Sequence, residues 1–261
     1  MTPSAGGELF QPPSETERRG SLSVRVRFDE TTPTGGIRTS ALLRYAADVA
    51  SYHSEQRGFS RSWYLERGLA WLVRGVDLDL RRPIGYGDQL TATTEAVGAR
   101  KVVARRRTEF LAESGELAAL VIVDWALISA EGIPTRIPAG LGIAFGMADR
   151  GFVPIRVRIP VSDRAPVGFE LTVRPHELDP MDHVNNAVYL DWAEEAIRSV
   201  PQSDRGPALD AVPRRWQLEY LASAAPGTRV LVSAAPAGTG WSCRIVDRAT
   251  GQALFAARLE A

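Results

Sequence analysis

Apolar residues recur at helical spacing twice along the chain, each time just after a polar turn. In the first stretch Leu42, Leu43, Ala46, Val49 and Ala50 fall at such intervals, with Thr39 or Ser40 placed to cap the helix they predict. In the second, Leu190, Ala193, Ile197 and Val200 form the apolar stripe. Asp191, Glu194, Glu195 and Arg198 make one charged face beside it, and Pro201 ends the run. A short strand-like segment precedes each helix, at 22–28 and at 169–175. Segments rich in valine, threonine and aromatics follow, such as DQLTATTEAV, KVVARRRTEF and ELAALVIVDWAL, and Gly-containing turns separate them.

The pattern repeats. LLRYAADVA (42–50) lies over YLDWAEEAI (189–197) at an offset of 147, and VDLDLRRPIGYGDQL (76–90) over WQLEYLASAAPGTRV (216–230) at 140. SGELAAL (114–120) lies over TGQALFA (250–256) at 136. The same order with shrinking offsets describes two related units with shorter loops in the second. One long helix followed by several antiparallel strands, twice over, predicts an α+β architecture in which each sheet wraps its helix. The expected organisation is a mobile tail over 1–20, a first unit over 21–147, a connector over 148–168 and a second unit over 169–261.

Composition narrows the function by exclusion. Lys plus Arg and Asp plus Glu are both 31, so no global charge draws the chain to nucleic acid or a membrane surface. The single cysteine, Cys243, rules out an internal disulfide framework and suits a reducing cytoplasm; its strand-like setting reads as packing, not as a nucleophile. No apolar run approaches the ~20 residues of a membrane span. The first residues lack the apolar core of a secretion signal.

Chemistry concentrates in DPMDHVNNAVYLDW (179–192). This segment resembles the signature of the hot-dog thioesterase superfamily, in which D-x-x-x-H-V-N-N-x-x-Y opens a central helix. Two such units in one chain resemble the acyl-carrier-protein thioesterases of plants and bacteria, and GIRTSALLRYAADVASYHSEQRGF with GLAWLVRGVDLDLRRPIGYGDQL is similar to that family's amino-terminal domain, Trp71 included. The likeness spans roughly residues 21 to 261 and implies a double hot-dog fold. It also implies hydrolysis of an acyl thioester, carried by acyl carrier protein or coenzyme A, to a free acid and a thiol. No cofactor or metal is called for, and a homodimer is compatible with the family. The chain departs from the plant pattern at Met181, Ser223 and Ala224, where an Asn, a Glu and a Cys stand, so no step through those groups carries over. Asp179 and His183 do match, and their counterparts in the first unit are Thr32 and Gly36. One chain is therefore expected to hold one active site, in the second unit, with the acyl pocket in the first.

A thioester carbonyl needs an activated water or a carboxylate nucleophile, and donors aimed at the developing oxyanion. A helix starting near 182–186 offers unpaired backbone N–H groups and the positive end of its dipole. Asp179 is then the expected base or nucleophile, His183 the group that orients water or shuttles a proton, and Asn185 a further catalytic group. Asn186, Tyr189 and Trp71 are expected to bind substrate. Capping alone accounts for Asp182, and equally for Asn185. His53, far from any carboxylate cluster, reads as structural. His176, Glu177, Asp179 and His183 match no common zinc spacing. Trp63, Tyr64, Trp71 and Leu72, with the helix over 42–53, are placed to line an acyl channel, although core packing explains each aromatic equally well. At about 0.8 kcal/mol per buried CH2, such a channel would supply most of the binding energy. Arg100, Lys101, Arg105, Arg106 and Arg107 form either a docking patch for an acidic carrier or a solvated sheet face, and the balanced charge favours the latter. Two other readings fit the same residues: a hydratase or dehydratase acting at the β-carbon, and a non-catalytic acyl-binding or carrier-docking protein.

Overall fold

A computed structural model describes residues 11–147, 152–160 and 162–261. Ten antiparallel strands form one sheet: β1 (Arg19–Arg25), β2 (Leu69–Leu80), β3 (Gln89–Arg100), β4 (Val103–Ala112), β5 (Leu117–Ser129), β6 (Val167–Thr172), β7 (Arg214–Tyr220), β8 (Arg229–Ala237), β9 (Gly240–Asp247) and β10 (Ala253–Glu260). Their spatial order is β1-β3-β4-β5-β2-β7-β10-β9-β8-β6, so each half uses the same order and the halves join along β2 and β7. The seam bears out the offset of 140: Asp77 and Gln217 are counterparts and also partners of one another. The pairs Gly75–Glu219 and Asp79–Arg215 flank them symmetrically. Two long helices, α1 (Thr39–Gln56) and α4 (Asn186–Arg198), lie on one side of the sheet and pack together. Arg44 and Asp191, counterparts at an offset of 147, meet there at 2.7 Å. The described residues also form three short α-helices: α2 (Arg61–Glu66), α3 (Ala139–Ala144) and α5 (Gln202–Arg205).

The apolar stripes read from sequence face inward. Leu42, Val49, Leu190, Ala193 and Ile197 are fully buried, in one continuous core that runs through both halves and includes Leu78, Trp216, Leu218 and Phe255. The polar details differ from the sequence reading. Neither Thr39 nor Ser40 caps α1: both lie inside its first turn, wholly buried, while Arg38 holds the cap position without a side-chain cap bond. Thr39 instead accepts from Arg214 Nη2 at 3.2 Å. Glu194 leaves the charged face and is buried against this pair, and that burial pushes its carboxyl up. The leading strands end three residues earlier than expected, because Phe28–Glu30 and Pro175–Glu177 fold into 3-10 turns. The basic run is not a free patch. Arg105 pairs with buried Asp124 at 2.7 Å, Arg107 pairs with Glu95 and Glu109, and Arg106 points beneath α1 to His53.

Of the 1–20 segment, residues 1–10 lie outside the described residues. The remainder is tied down: Pro13 is buried, Glu17 meets Arg57 at 2.8 Å, and β1 already begins at Arg19. Residues 148–151 and 161 of the connector also lie outside the described residues. Its stretch 152–160 crosses the sheet face opposite the helices, over one row of paired residues: Arg105 on β4, Asp124 on β5, Gly75 on β2 and Glu219 on β7. Asp124 accepts the Ile155 amide at 2.8 Å, Glu219 accepts that of Val157 at 2.9 Å, and Arg105 donates to the Val153 carbonyl at 2.9 Å. Gly75 makes room, since a Cβ there would stand 2.8 Å from Ile155 Cβ.

Candidate active site

The loop before α4 folds on its own backbone. Leu178 and Val184 form an isolated bridge, the Asp179 amide donates to the His183 carbonyl at 2.8 Å, and the Asp182 amide returns to the Asp179 carbonyl at 3.0 Å. Asp182 takes a left-handed conformation (φ 59°), which Asp tolerates better than most residues. It is exposed and does not cap the helix. Asn185 does: its Oδ1 accepts the Ala187 amide at 2.9 Å. The Val188 amide donates to the Asn185 carbonyl, and the Asn186 amide has no acceptor among the described residues.

Asp179 is half-buried at the start of this loop. Its Oδ1 accepts the Met181 amide at 2.8 Å and, more loosely, the His183 amide at 3.4 Å. Its Oδ2 has no partner among the described residues, so one oxygen anchors the carboxylate while the other stays available. No hydrogen bond joins this carboxylate to the His183 ring; the two residues meet only through the His183 backbone. The ring's Nδ1 is buried without a hydrogen-bond partner, an unusual state for a buried polar atom.

The other expected residues lie deeper or further off. Tyr189 is 2% exposed and belongs to the core: its ring stacks on Phe255 and meets Tyr220 and Trp192 edge-on, and its hydroxyl accepts the Ala224 amide at 2.9 Å. Burial pushes its phenol up to about 12; the Ala224 amide opposes that and the nearby Asp179 charge adds to it. Tyr220 donates to the Asn186 carbonyl at 2.9 Å and so pins the first turn of α4. Trp71 lies on β2, packed with Trp63 and Tyr64 against Phe59, Leu141, Ala144 and Phe145. This is a second, smaller apolar cluster in the first half, and Asp179 is not part of it. Glu177 is buried and committed to Arg174 and to Trp192 Nε1, while His176 is exposed. No group of three or more His, Cys, Asp or Glu side chains placed to hold a metal occurs among the described residues. Surface cavities of about 590 Å³ beside Arg81–Pro83 and about 510 Å³ beside Trp241 contain none of these residues.

Several supporting groups escaped the sequence reading, although the offset of 147 held a signal for three of them. Arg174, Glu177 and Trp192 are the counterparts of Arg27, Glu30 and Tyr45, which are joined in the same way in the first half. In each half burial alone would push the glutamate up, but the arginine and aromatic hydrogen bonds hold it below its ordinary value. The loop itself is repeated too. The Thr32 amide donates to Gly36 O at 2.8 Å, the Gly35 amide to Thr32 O at 2.8 Å, and Gly35 is left-handed where Asp182 is. The two halves therefore present the same loop, and only the second arms it with a carboxylate and an imidazole.

No curated protein matches the chain. In fold it is similar to an acyl-ACP thioesterase from Bacteroides thetaiotaomicron VPI-5482, at 15% identity and a TM-score of 0.78, over 95% of this chain and 99% of that one. It is likewise similar to the 12:0-ACP thioesterase from Umbellularia californica, at 19% identity and a TM-score of 0.77, over 93% and 96% of the two chains. Residues 21–136 match the model of the acyl-ACP thioesterase N-terminal domain, and residues 162–260 that of the C-terminal domain. With both models matched in tandem, the chain belongs to the acyl-ACP thioesterase family, a family of thioester hydrolases.

Proposed function

We propose that this chain hydrolyses an acyl thioester of acyl carrier protein to a free acid and a thiol, at the loop 179–186 of its second half. Each half is read as one hot-dog unit, and the first supplies the acyl pocket through the cluster around Phe59, Trp63 and Trp71. One observation carries the reading. A half-buried carboxylate with a spare oxygen and a helix tip with a spare amide stand at the two ends of one hydrogen-bonded loop.

In this mechanism the Asn186 N–H, backed by the positive end of α4, receives the thioester oxygen as charge develops on it. Asp179 Oδ2 either takes a proton from the water that attacks the carbonyl carbon, or attacks that carbon itself to form an anhydride that water then hydrolyses to the free acid, restoring the carboxylate. His183, whose Nδ1 the protein leaves unpaired, orients the water or carries its proton, and the C–S bond breaks as the thiol leaves with that proton. Asn185 serves by fixing the tip, since its side-chain oxygen is already committed to Ala187. Tyr189 and Tyr220 support the site from the core. Met181 and Ala224, where plant relatives carry other residues, contribute backbone amides here, to Asp179 and Tyr189.

The test is thiol release from saturated acyl chains of graded length on acyl carrier protein and on coenzyme A. Stoichiometric free acid and thiol, with a preference for the carrier protein, support the reading. Absence of thiol from every saturated substrate, together with hydration of an enoyl thioester, would replace it with the hydratase.

A further inference from the structure

The two copies of the loop are held from outside by different means. In the first half the turn between β2 and β3 grips it: Gly36 and Gly85 form a bridge, the Tyr86 amide donates to Gly35 O at 3.2 Å, and the Ile37 amide donates to Ile84 O at 2.8 Å. In the second half the counterpart of Tyr86 is Pro226, which has no N–H to give. The remaining bond, from the Val184 amide to Ala224 O, is longer, at 3.4 Å. The loop that carries Asp179 thus lacks a tether that its inactive twin keeps.

One side chain from the other half holds the loop at a different carbonyl, Pro180 in place of Asp182. Arg61, at the start of α2, donates through Nη2 to the Pro180 carbonyl at 3.1 Å, one residue beyond Asp179. It is exposed and pairs with no carboxylate among the described residues. Its base is firm: Ser60 caps α2 by accepting the Trp63 amide, and Trp63 packs edge-on against Phe59 at 4.8 Å.

We propose that Arg61 is a positioning residue, a tether from the first half that holds the Asp179 loop of the second in its working geometry. The kinetic consequence rests on the hydrolase reading above; the structural one does not. A small displacement of a reacting group can cost roughly a hundredfold in rate, so Arg61→Ala should lower kcat by about tenfold or more with KM changed less than about twofold. Arg61→Lys, which can still donate to the carbonyl, should restore most of the rate. Pro226→Ala in the Arg61→Ala background returns an N–H to the turn and should recover part of it.

Independently of any activity, amide hydrogen exchange at Met181 and Asp182 should quicken in Arg61→Ala, while exchange in the middle of α4 stays unchanged. Unchanged exchange at those two amides overturns the tether, as does a loss confined to KM. If the wild type releases no thiol but the exchange result holds, the tether stands and the hydrolase reading falls.

Discussion

In the proposed mechanism the Asn186 amide receives the carbonyl oxygen, and Asn185 caps the turn that carries it. Truncating Asn185 to Ala removes the cap on Ala187, at a cost of about 1 kcal/mol of stability. The freed tip should also lower kcat, while Asn185→Asp, which can still accept from Ala187, keeps both stability and rate closer to wild type. Urea melts alongside thiol-release assays check this; an Ala variant with an unaltered rate would free Asn185 from any part in catalysis. At this scale the sequence was partly legible. A His and an Asp at the start of an amphipathic helix exceed what capping requires, which marked Asp179 and His183. Spacing could not decide which polar residue caps, because that depends on where the backbone turns. The left-handed Asp182 shifts the helix start to Asn186 and turns Asp182 away. Tyr189 was misjudged for a similar reason: helical phase puts it on the face that packs beneath Phe255.

The elements are pinned by buried polar contacts as well as by their stripes. His53 joins three of them: on α1, it bonds through Nε2 to the Glu17 carbonyl just before β1, and through Nδ1 to Arg106 of β4. Burial, with Arg106 and Arg57 beside it, holds this imidazole down near 4, against an ordinary value near 6.5, despite the opposing bond to Glu17. The folded state therefore favours the neutral ring. Its contribution is complete above about pH 6.5 and is lost as the pH falls toward 4, by up to about 3 kcal/mol. Denaturant melts at pH 7 and pH 5 should show wild type losing more stability across this interval than His53→Asn, and equal losses would remove His53 as the cause. Periodicity located the strands and both long helices, but the connector was beyond its reach. The hold of Asp124 and Glu219 on the Ile155 and Val157 amides depends on cross-strand register, and register is a property of the assembled sheet.

Across the molecule, internal repetition was the most legible feature, since strand order and seam register follow the offsets that the chain itself displays. The chemical difference between the two loops was legible too, in Thr32 and Gly36 against Asp179 and His183. The asymmetric tethering of the two loops was not, because it needs Arg61 of one half beside Pro180 of the other. Because β2 pairs with β7 and one core spans the seam, the halves should unfold together. Calorimetry should give a single transition with matching calorimetric and van't Hoff enthalpies; two resolved transitions would mean that the seam is weaker than its packing suggests.

Hydrolysis in the proposed mechanism turns on one carboxylate. Thiol release from acyl carrier protein thioesters by wild type and by Asp179→Asn, compared at equal melting temperature, tests it most directly. The predicted result is brisk release by the wild type and a loss of about a thousandfold or more in the variant. Asp179→Asn that melts like the wild type and releases thiol at the wild-type rate would contradict the account.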